Sequence, residues 1–567
     1  MNISPKKTII CFSLITLLSV VLSSFSVNAA KFEVEKGELD KRFSNGEVFD
    51  WSKEAELNKS TFFDDMVDFR QFQESGDLAS NYQLVLELIL KKQYKQAKEK
   101  VISFIQEEPS QPIYYNLKAS LEIQEKDLSA AKQSYKKAIG IDSSNAQAYV
   151  GLSAIALEEE QFTIANQYAN KALEQSPYQV SAYIILSKIA MQQQGGEAAE
   201  KQLLNANLKV KGNFKAELTI LKLLANDYIR RKQPEKVLPL AQNLVERNKT
   251  NTIALSFLAS AFLANQDLVG AENILRQIIV LDAKDVKHVL ALARLVSKQA
   301  EKEAEVLQLL DQAALHIKNP TSVLALRTAY LIKQEKYQQA HIVAKQVDDD
   351  NPKLSLGKIL KGDVFLNEKK YDKAVQAYRQ AYQIENNTKV LDAMLKILVM
   401  QNKEQEAISF LKKELATNKD NMVIQSRLAT LHQNLGQYDL SAQYYEALLE
   451  KQSDNTILLN NLAWVYGQQG SPKALVLAEK AFKKAPKSAV VADTYGYILL
   501  KNGKLQESLK VLKLAAVMAP NVDEIQLHLA EAYIANQNKS EARKILEPLL
   551  NKDGSQKAKA IKLMEHL

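Results

Sequence analysis

Small and apolar residues recur along this chain with two nested periods. Locally, positions such as Ala165, Ala169 and Ala172 are spaced by four and three, which places them on one face of a helix. At longer range one small residue returns at Ala97, Ala131, Ala165, Ala199, Val237, Ala271, Ala304, Ala340, Ala374, Ala407, Ser441, Ala474, Ser508 and Ala542. Successive steps are 33 or 34 residues, except for 38 before Val237 and 36 before Ala340. This register predicts fourteen antiparallel helix pairs. Small residues at the crossing let two helices approach to the short end of the ~8–10 Å range, while larger ones such as Leu152 and Tyr168 fill the surrounding space. Pro109, Pro177, Pro352, Pro486 and Pro520 end second helices and open the turn to the next pair. A single pair would leave an apolar face wet, so the pairs must stack on one another.

Where the register slips, the sequence predicts irregularity. The step before Val237 contains Gly195-Gly196 and Lys209-Val210-Lys211-Gly212, which read as a longer turn and a bend near 195–213. Residues 30–77 do not fit the period and mix charges with aromatics, as a mobile leader followed by a cap would. After 78–556, residues 557–567 read as a lysine-rich helix that solvates the last open face. Composition agrees with an all-α reading. Only 17 Gly and 12 Pro occur in 567 residues, too few for the frequent turns of a sheet protein.

The pattern resembles the tetratricopeptide repeat family. Residues 147–180 carry its marks in Tyr149, Leu152-Ser153, Ala156, Ala165, Ala169, Ala172 and Pro177. Residues 354–387 carry them in Gly362, Phe365, Tyr371, Ala374, Tyr378 and Ala381, with Asn386 in place of the proline. The resemblance implies a right-handed α-solenoid of about fourteen such pairs, a concave groove lined by the first helix of each pair, and protein partners.

The first 29 residues look like a secretory signal. Lys6 and Lys7 precede an apolar run of 14 residues, Ile9 to Leu22, and Val27-Asn28-Ala29 places small residues for cleavage between Ala29 and Ala30. The competing reading is an uncleaved anchor, for which the run is short of the ~20 residues a membrane span needs. Cleavage would remove the only cysteine, Cys11, and leave a net charge of +6, from +8 less two lysines. The expectation is an exported, periplasmic protein with no membrane span in its mature chain. A surplus of 74 basic over 66 acidic residues is too mild to suggest nucleic acid.

Chemistry is sparse. Six scattered histidines form no metal-binding spacing, and no phosphate loop, dinucleotide fingerprint or nucleophile elbow occurs, so no enzyme activity, cofactor or metal is expected. The runs Glu158–Glu160 and Asp348–Asp350 read as solvated surface. Function then rests on the groove. Val150, Ile184, Val289 and Ile359 would make part of it apolar. A patch late in the chain combines Asn460, Trp464, Asp493 and Tyr497 from two adjacent units with Arg427 and Thr430 from the one before. Trp464 and Tyr497 either hold a ligand side chain or sugar ring, or pack between helices. Residues 456–550 also resemble exported bacterial repeat proteins linked to exosortase (PEP-CTERM) and exopolysaccharide systems. That resemblance implies a scaffold for an envelope, secretion or exopolysaccharide machine; the alternative is direct binding and guidance of a polysaccharide.

Overall fold

The computed structural model describes residues 76–552 and 555–567. The segments read as signal and leader, with Ala29 and Ala30, lie outside the described residues up to position 75. Among the described residues there are twenty-nine α-helices and no strand. They divide into two compact units, whose described parts are 76–327 and 328–567.

In the first unit the pairs are α1 (Gly76–Leu90) with α2 (Tyr94–Glu107), α3 (Pro112–Gln124) with α4 (Leu128–Ile141), and α5 (Ala146–Glu158) with α6 (Phe162–Gln175). They continue as α7 (Val180–Gln194) with α8 (Gly196–Lys209), and α9 (Phe214–Arg230) with α10 (Val237–Arg247). The last are α11 (Thr252–Ala264) with α12 (Leu268–Leu281), and α13 (Val286–Val296) with α14 (Glu303–His316). The boundary between the units falls within α15 (Thr321–Lys333). The second unit continues with α16 (Tyr337–Asp350), α17 (Leu356–Asn367) with α18 (Tyr371–Ile384), and α19 (Thr388–Met400) with α20 (Glu404–Thr417). It is completed by α21 (Met422–Asn434) with α22 (Tyr438–Lys451), α23 (Thr456–Gln468) with α24 (Lys473–Lys484), α25 (Ala489–Lys501) with α26 (Leu505–Met518), and α27 (Asp523–Ala535) with α28 (Lys539–Leu550). A single helix, α29 (Ser555–Met564), follows.

The recurring small residue stands at the crossing within each pair except α13 with α14. Ala131, Ala165, Ala271, Ala374 and Ala542 are fully buried. The approach is close enough for Ser153 Oγ on α5 to donate to the Ala165 carbonyl on α6 at 2.6 Å, and Ser508 Oγ repeats this to the Gly496 carbonyl at 2.7 Å. Gly151 is needed for the same reason, since a Cβ there would lie 2.2 Å from the ring of buried Tyr135. The predicted proline stops also hold: α2, α6, α16, α24 and α26 each end two residues before their proline. Tyr115 and Tyr183 then tie the turn down by donating to the carbonyls of Pro109 and Pro177, both at 3.1 Å.

Two features of the register differ from the sequence reading. The extra residues before Val237 do not lengthen a turn at 195–213. Phe214 to Val237 is 23 residues where Ala146 to Ala165 is 19, and α9 has 17 residues where α5 has 13. The insertion is one more helical turn. Near the other slip, Ala304 is exposed and Val306 is the buried crossing residue, so the true steps are 35 and 34. A 3₁₀ turn at Ala300–Lys302 ahead of α14 takes up the additional residue. Asp348, read as solvated, is instead mostly buried and ion-paired to Lys358 and Lys361 at 2.6 and 2.5 Å. Those two ammonium groups overcome the penalty of burial and hold its carboxyl below the ordinary range.

At the C-terminus α29 starts at Ser555, two residues earlier than expected. Its buried Ala560 joins Leu527, Ala530, Leu546 and Leu549, while Lys557 and Lys559 stay exposed. This covers the apolar face that the last pair would otherwise present to water. No described helix is long and apolar enough to cross a membrane.

Candidate functional site

The fifth and sixth residues of successive first helices decide what the groove can do. At the fifth position α5, α7 and α9 carry Val150, Ile184 and Leu218, all buried. Val150 and Ile184 were candidates for an open apolar groove. They are core residues, as is Val289, and Ile359 is packed against the core of α18, α19 and α20. The geometry is simple: neighbouring first helices touch along this row, so an aliphatic side chain there is consumed by packing.

In the second unit the same position carries Asp392 on α19, Ser426 on α21, Asn460 on α23 and Asp493 on α25. The sixth position of the following helix faces it. Arg427 on α21 binds Asp392 through both carboxylate oxygens, Nε at 2.6 Å and Nη2 at 2.9 Å. His528 on α27 meets both oxygens of Asp493 through Nδ1, each at 2.9 Å. Both pairs are 35 residues apart, one repeat and one residue. Burial opposes a charge on His528, but the Asp493 carboxylate outweighs it and raises the imidazole above its ordinary value.

Between these ion pairs lies Asn460. It is 6% exposed; its amide nitrogen reaches Asn461 Oδ1 at 3.5 Å, and its Oδ1 has no partner. Close by, Tyr445 of α22 is fully buried, and its hydroxyl is joined by Thr430 Oγ1 at 3.1 Å and Asn461 Nδ2 at 3.3 Å. Burial raises the Tyr445 phenol, so it stays neutral. Trp464 is half-buried. Its ring lies 5.2 Å from that of Tyr497 and 5.8 Å from that of His528, and Tyr497 stacks on His528 at 4.2 Å.

These groups border a cleft of about 850 Å³ lying wholly within the second unit. Arg427, Thr430, Asn460, Trp464 and Asp493 line it; Tyr497 does not, and stands behind Trp464 as part of the stack. Trp464 thus has one side toward packing and another toward the cleft. Sequence reasoning missed Asp392, Tyr445, Asn461 and His528. Opposite charges 35 residues apart, on a chain of period 34, are the signal that would have found the two ion pairs. The helix α29 also contributes Gln556 and Lys559 to the lining, and α27 contributes Glu524.

The arrangement is built to bind. Planar amides, hydroxyls and one indole surround a partly apolar space, as in ligand sites generally. No group of three or more metal-ligating side chains occurs among the described residues.

Tetratricopeptide repeat family models match residues 113–145, 358–388, 426–489 and 499–567. No curated protein matches the chain. Similar solved structures include the APC/C hetero-tetramer Cut9-Hcn1, at 14% identity and a TM-score of 0.33, covering 88% of this chain and 97% of that one. Naa15/Naa10 bound to HypK-THB matches at 16% and 0.31, covering 86% and 70%. A tetratricopeptide repeat protein from Parabacteroides merdae ATCC 43184 matches at 17% and 0.31, covering 50% and 98%.

Proposed function

The chain belongs to the tetratricopeptide repeat family, whose members serve as protein-binding scaffolds, and we propose that it is an exported scaffold that holds a segment of a partner protein in the cleft of its second unit. The observation that carries this reading is the cleft of about 850 Å³ in the second unit, lined by Arg427, Thr430, Asn460, Trp464 and Asp493. The signal-like residues 1–29 support export to the periplasm. The resemblance of 456–550 to exported repeat proteins supports work in assembling an envelope, secretion or exopolysaccharide machine. The lining is also rich in hydroxyl and amide groups, which suits a polysaccharide, the second reading.

The test is site-specific photocrosslinking in cells, with the probe at Ser426 inside the cleft or at exposed Val280 on α12, and N-terminal sequencing of the exported chain. The scaffold reading expects a mature end at Ala30 and one defined set of envelope proteins captured from Ser426 but not from Val280. That set should vanish in an Asn460→Leu variant. Sugar polymer without protein at Ser426 would replace the scaffold reading with the second one.

A further inference from the structure

We infer that the concave groove of the first unit is a docking site for the chain's own residues 47–74, an acidic and aromatic segment that precedes α1 in the sequence. The surface concerned belongs to the first unit alone and is independent of the cleft described above. A partner protein entering this groove must first displace the segment.

On α21 the second, fifth, ninth and twelfth residues, Val423, Ser426, Thr430 and Gln433, all line the second unit's cleft, so these positions mark the concave side of a first helix. The same positions of α3, α5, α7, α9, α11 and α13 hold five cations, Lys188, Lys215, Lys222, Lys287 and Arg294, and no carboxylate. In the second unit Asp392, Asp493 and Glu524 break such a run. Lys188 is open to solvent, yet the helices around it push its ammonium below the ordinary range, with no carboxylate near enough to oppose them. Charges of one sign along a hollow concentrate its field and draw an anionic partner. Met191 and Ile253, 42% and 55% exposed at two of these positions, offer that partner apolar surface as well. Residues 47–74 match both demands. They carry eight acidic residues against three basic, a net charge of −5, together with five Phe and Trp51. Phe62-Phe63-Asp64-Asp65 and Asp68-Phe69 set the acids directly beside the rings. The segment ends two residues before Gly76, where α1 begins. Its 28 residues can extend about 90 Å, more than the six steps of ~8–10 Å between neighbouring first helices from α1 to α13. So short a tether holds the segment at a roughly millimolar effective concentration, which lets modest contacts keep it in place.

The experiment reads Trp51 by fluorescence in the full-length chain, with Trp464→Phe leaving it as the one tryptophan of the sequence. Acrylamide should quench Trp51 several-fold less at ~0.01 M salt than at ~1 M, where the screening length has fallen from ~30 to ~3 Å. Reversing two of the cations, in Lys188→Glu with Lys215→Glu, should expose Trp51 at low salt while the helical circular dichroism stays unchanged. Adding Asp64→Lys and Asp65→Lys to that variant should restore the protection. Trp51 quenched equally at every salt concentration, or as well protected in the cation-reversed variant as in its parent, would overturn docking of the segment in this groove. Protection that rises with protein concentration would give the groove to residues 47–74 of a second copy and overturn docking within one chain.

Discussion

The fifth position of the first helices in the two units shows one backbone slot put to two uses. In α5, α7 and α9 it holds Val150, Ile184 and Leu218 and is spent on packing. In α19, α21, α23 and α25 it holds Asp392, Ser426, Asn460 and Asp493, the last three of which line a cleft. The surrounding helices are alike, so the fold does not decide which use prevails; the pairing chemistry does. The first unit also buries a charge, but in a closed arrangement: Glu217 on α9 is 2% exposed and bound by Arg247 through two hydrogen bonds at 2.9 and 2.5 Å. The second unit closes two such arrangements, and Asn460 Oδ1 between them has no partner, as Asn116 Oδ1 has none at the same position of α3. A polar side chain in this row is either closed by its neighbour, as Asp392 and Asp493 are, or left with an unpaired group.

Moving charge into the first unit should break the comparison most severely. Val150→Asp would bury a carboxylate opposite Ile185, where Arg427 and His528 stand in the second unit, costing about 3–5 kcal/mol. Hydrogen exchange should show the loss concentrated in α4 to α7, because stacked repeats open locally. Trp464→Ala should cost less, about 2 kcal/mol, since one side of the ring packs while the other faces the cleft. Denaturation of the variant and parent chains would check it, and a loss of the full 3–5 kcal/mol would mean the ring is core alone.

A pH titration sharpens the second unit's ion pair. His528 has a raised folded value, so its contribution to stability is complete below its unfolded value of about 6.5 and fades as pH climbs through the higher folded one. The groups facing it are Asp493, Glu524, Glu531 and the Tyr497 ring. In a Trp51→Phe background, Trp464 emission should rise across that alkaline window as the quenching imidazolium disappears. Asp493→Asn should move the transition to lower pH; an unchanged midpoint would deny the pairing. The smallest effect belongs to Asn460→Leu, where replacing an unsatisfied amide should change stability by at most about 1 kcal/mol, and in the favourable direction. Thermal melts would detect a loss if Asn460 instead supports the fold.

The helices, their pairing and the groove-lining row were legible in the sequence because each repeat restates the same packing problem. Thirteen nearly equal steps leave little freedom for where Ala165 or Ala374 can sit. Legibility failed where a choice had to be made within one turn of helix. Ala304 and Val306 are both acceptable crossing residues by size, and only the 3₁₀ turn at Ala300–Lys302 selects the second. The late patch was visible as residues of the right type at groove positions. Its partners were not, since Asp392 and His528 lie one repeat plus one residue away and a strict period of 34 passes over them.

The lengthened α9 carries a consequence for how this chain can vary. Four added residues advance a helix by about 400°, within roughly 40° of a whole number of turns, and extend it by about 6 Å. Tyr228 and the residues before it thus keep facing the core, as their burial shows. One or two added residues would have swung every later side chain through about 100° or 200° and turned the apolar stripe outward. Insertions into these helices are therefore quantised: natural relatives and engineered versions should differ inside helices by fours or sevens, whereas single-residue changes should be confined to the turns.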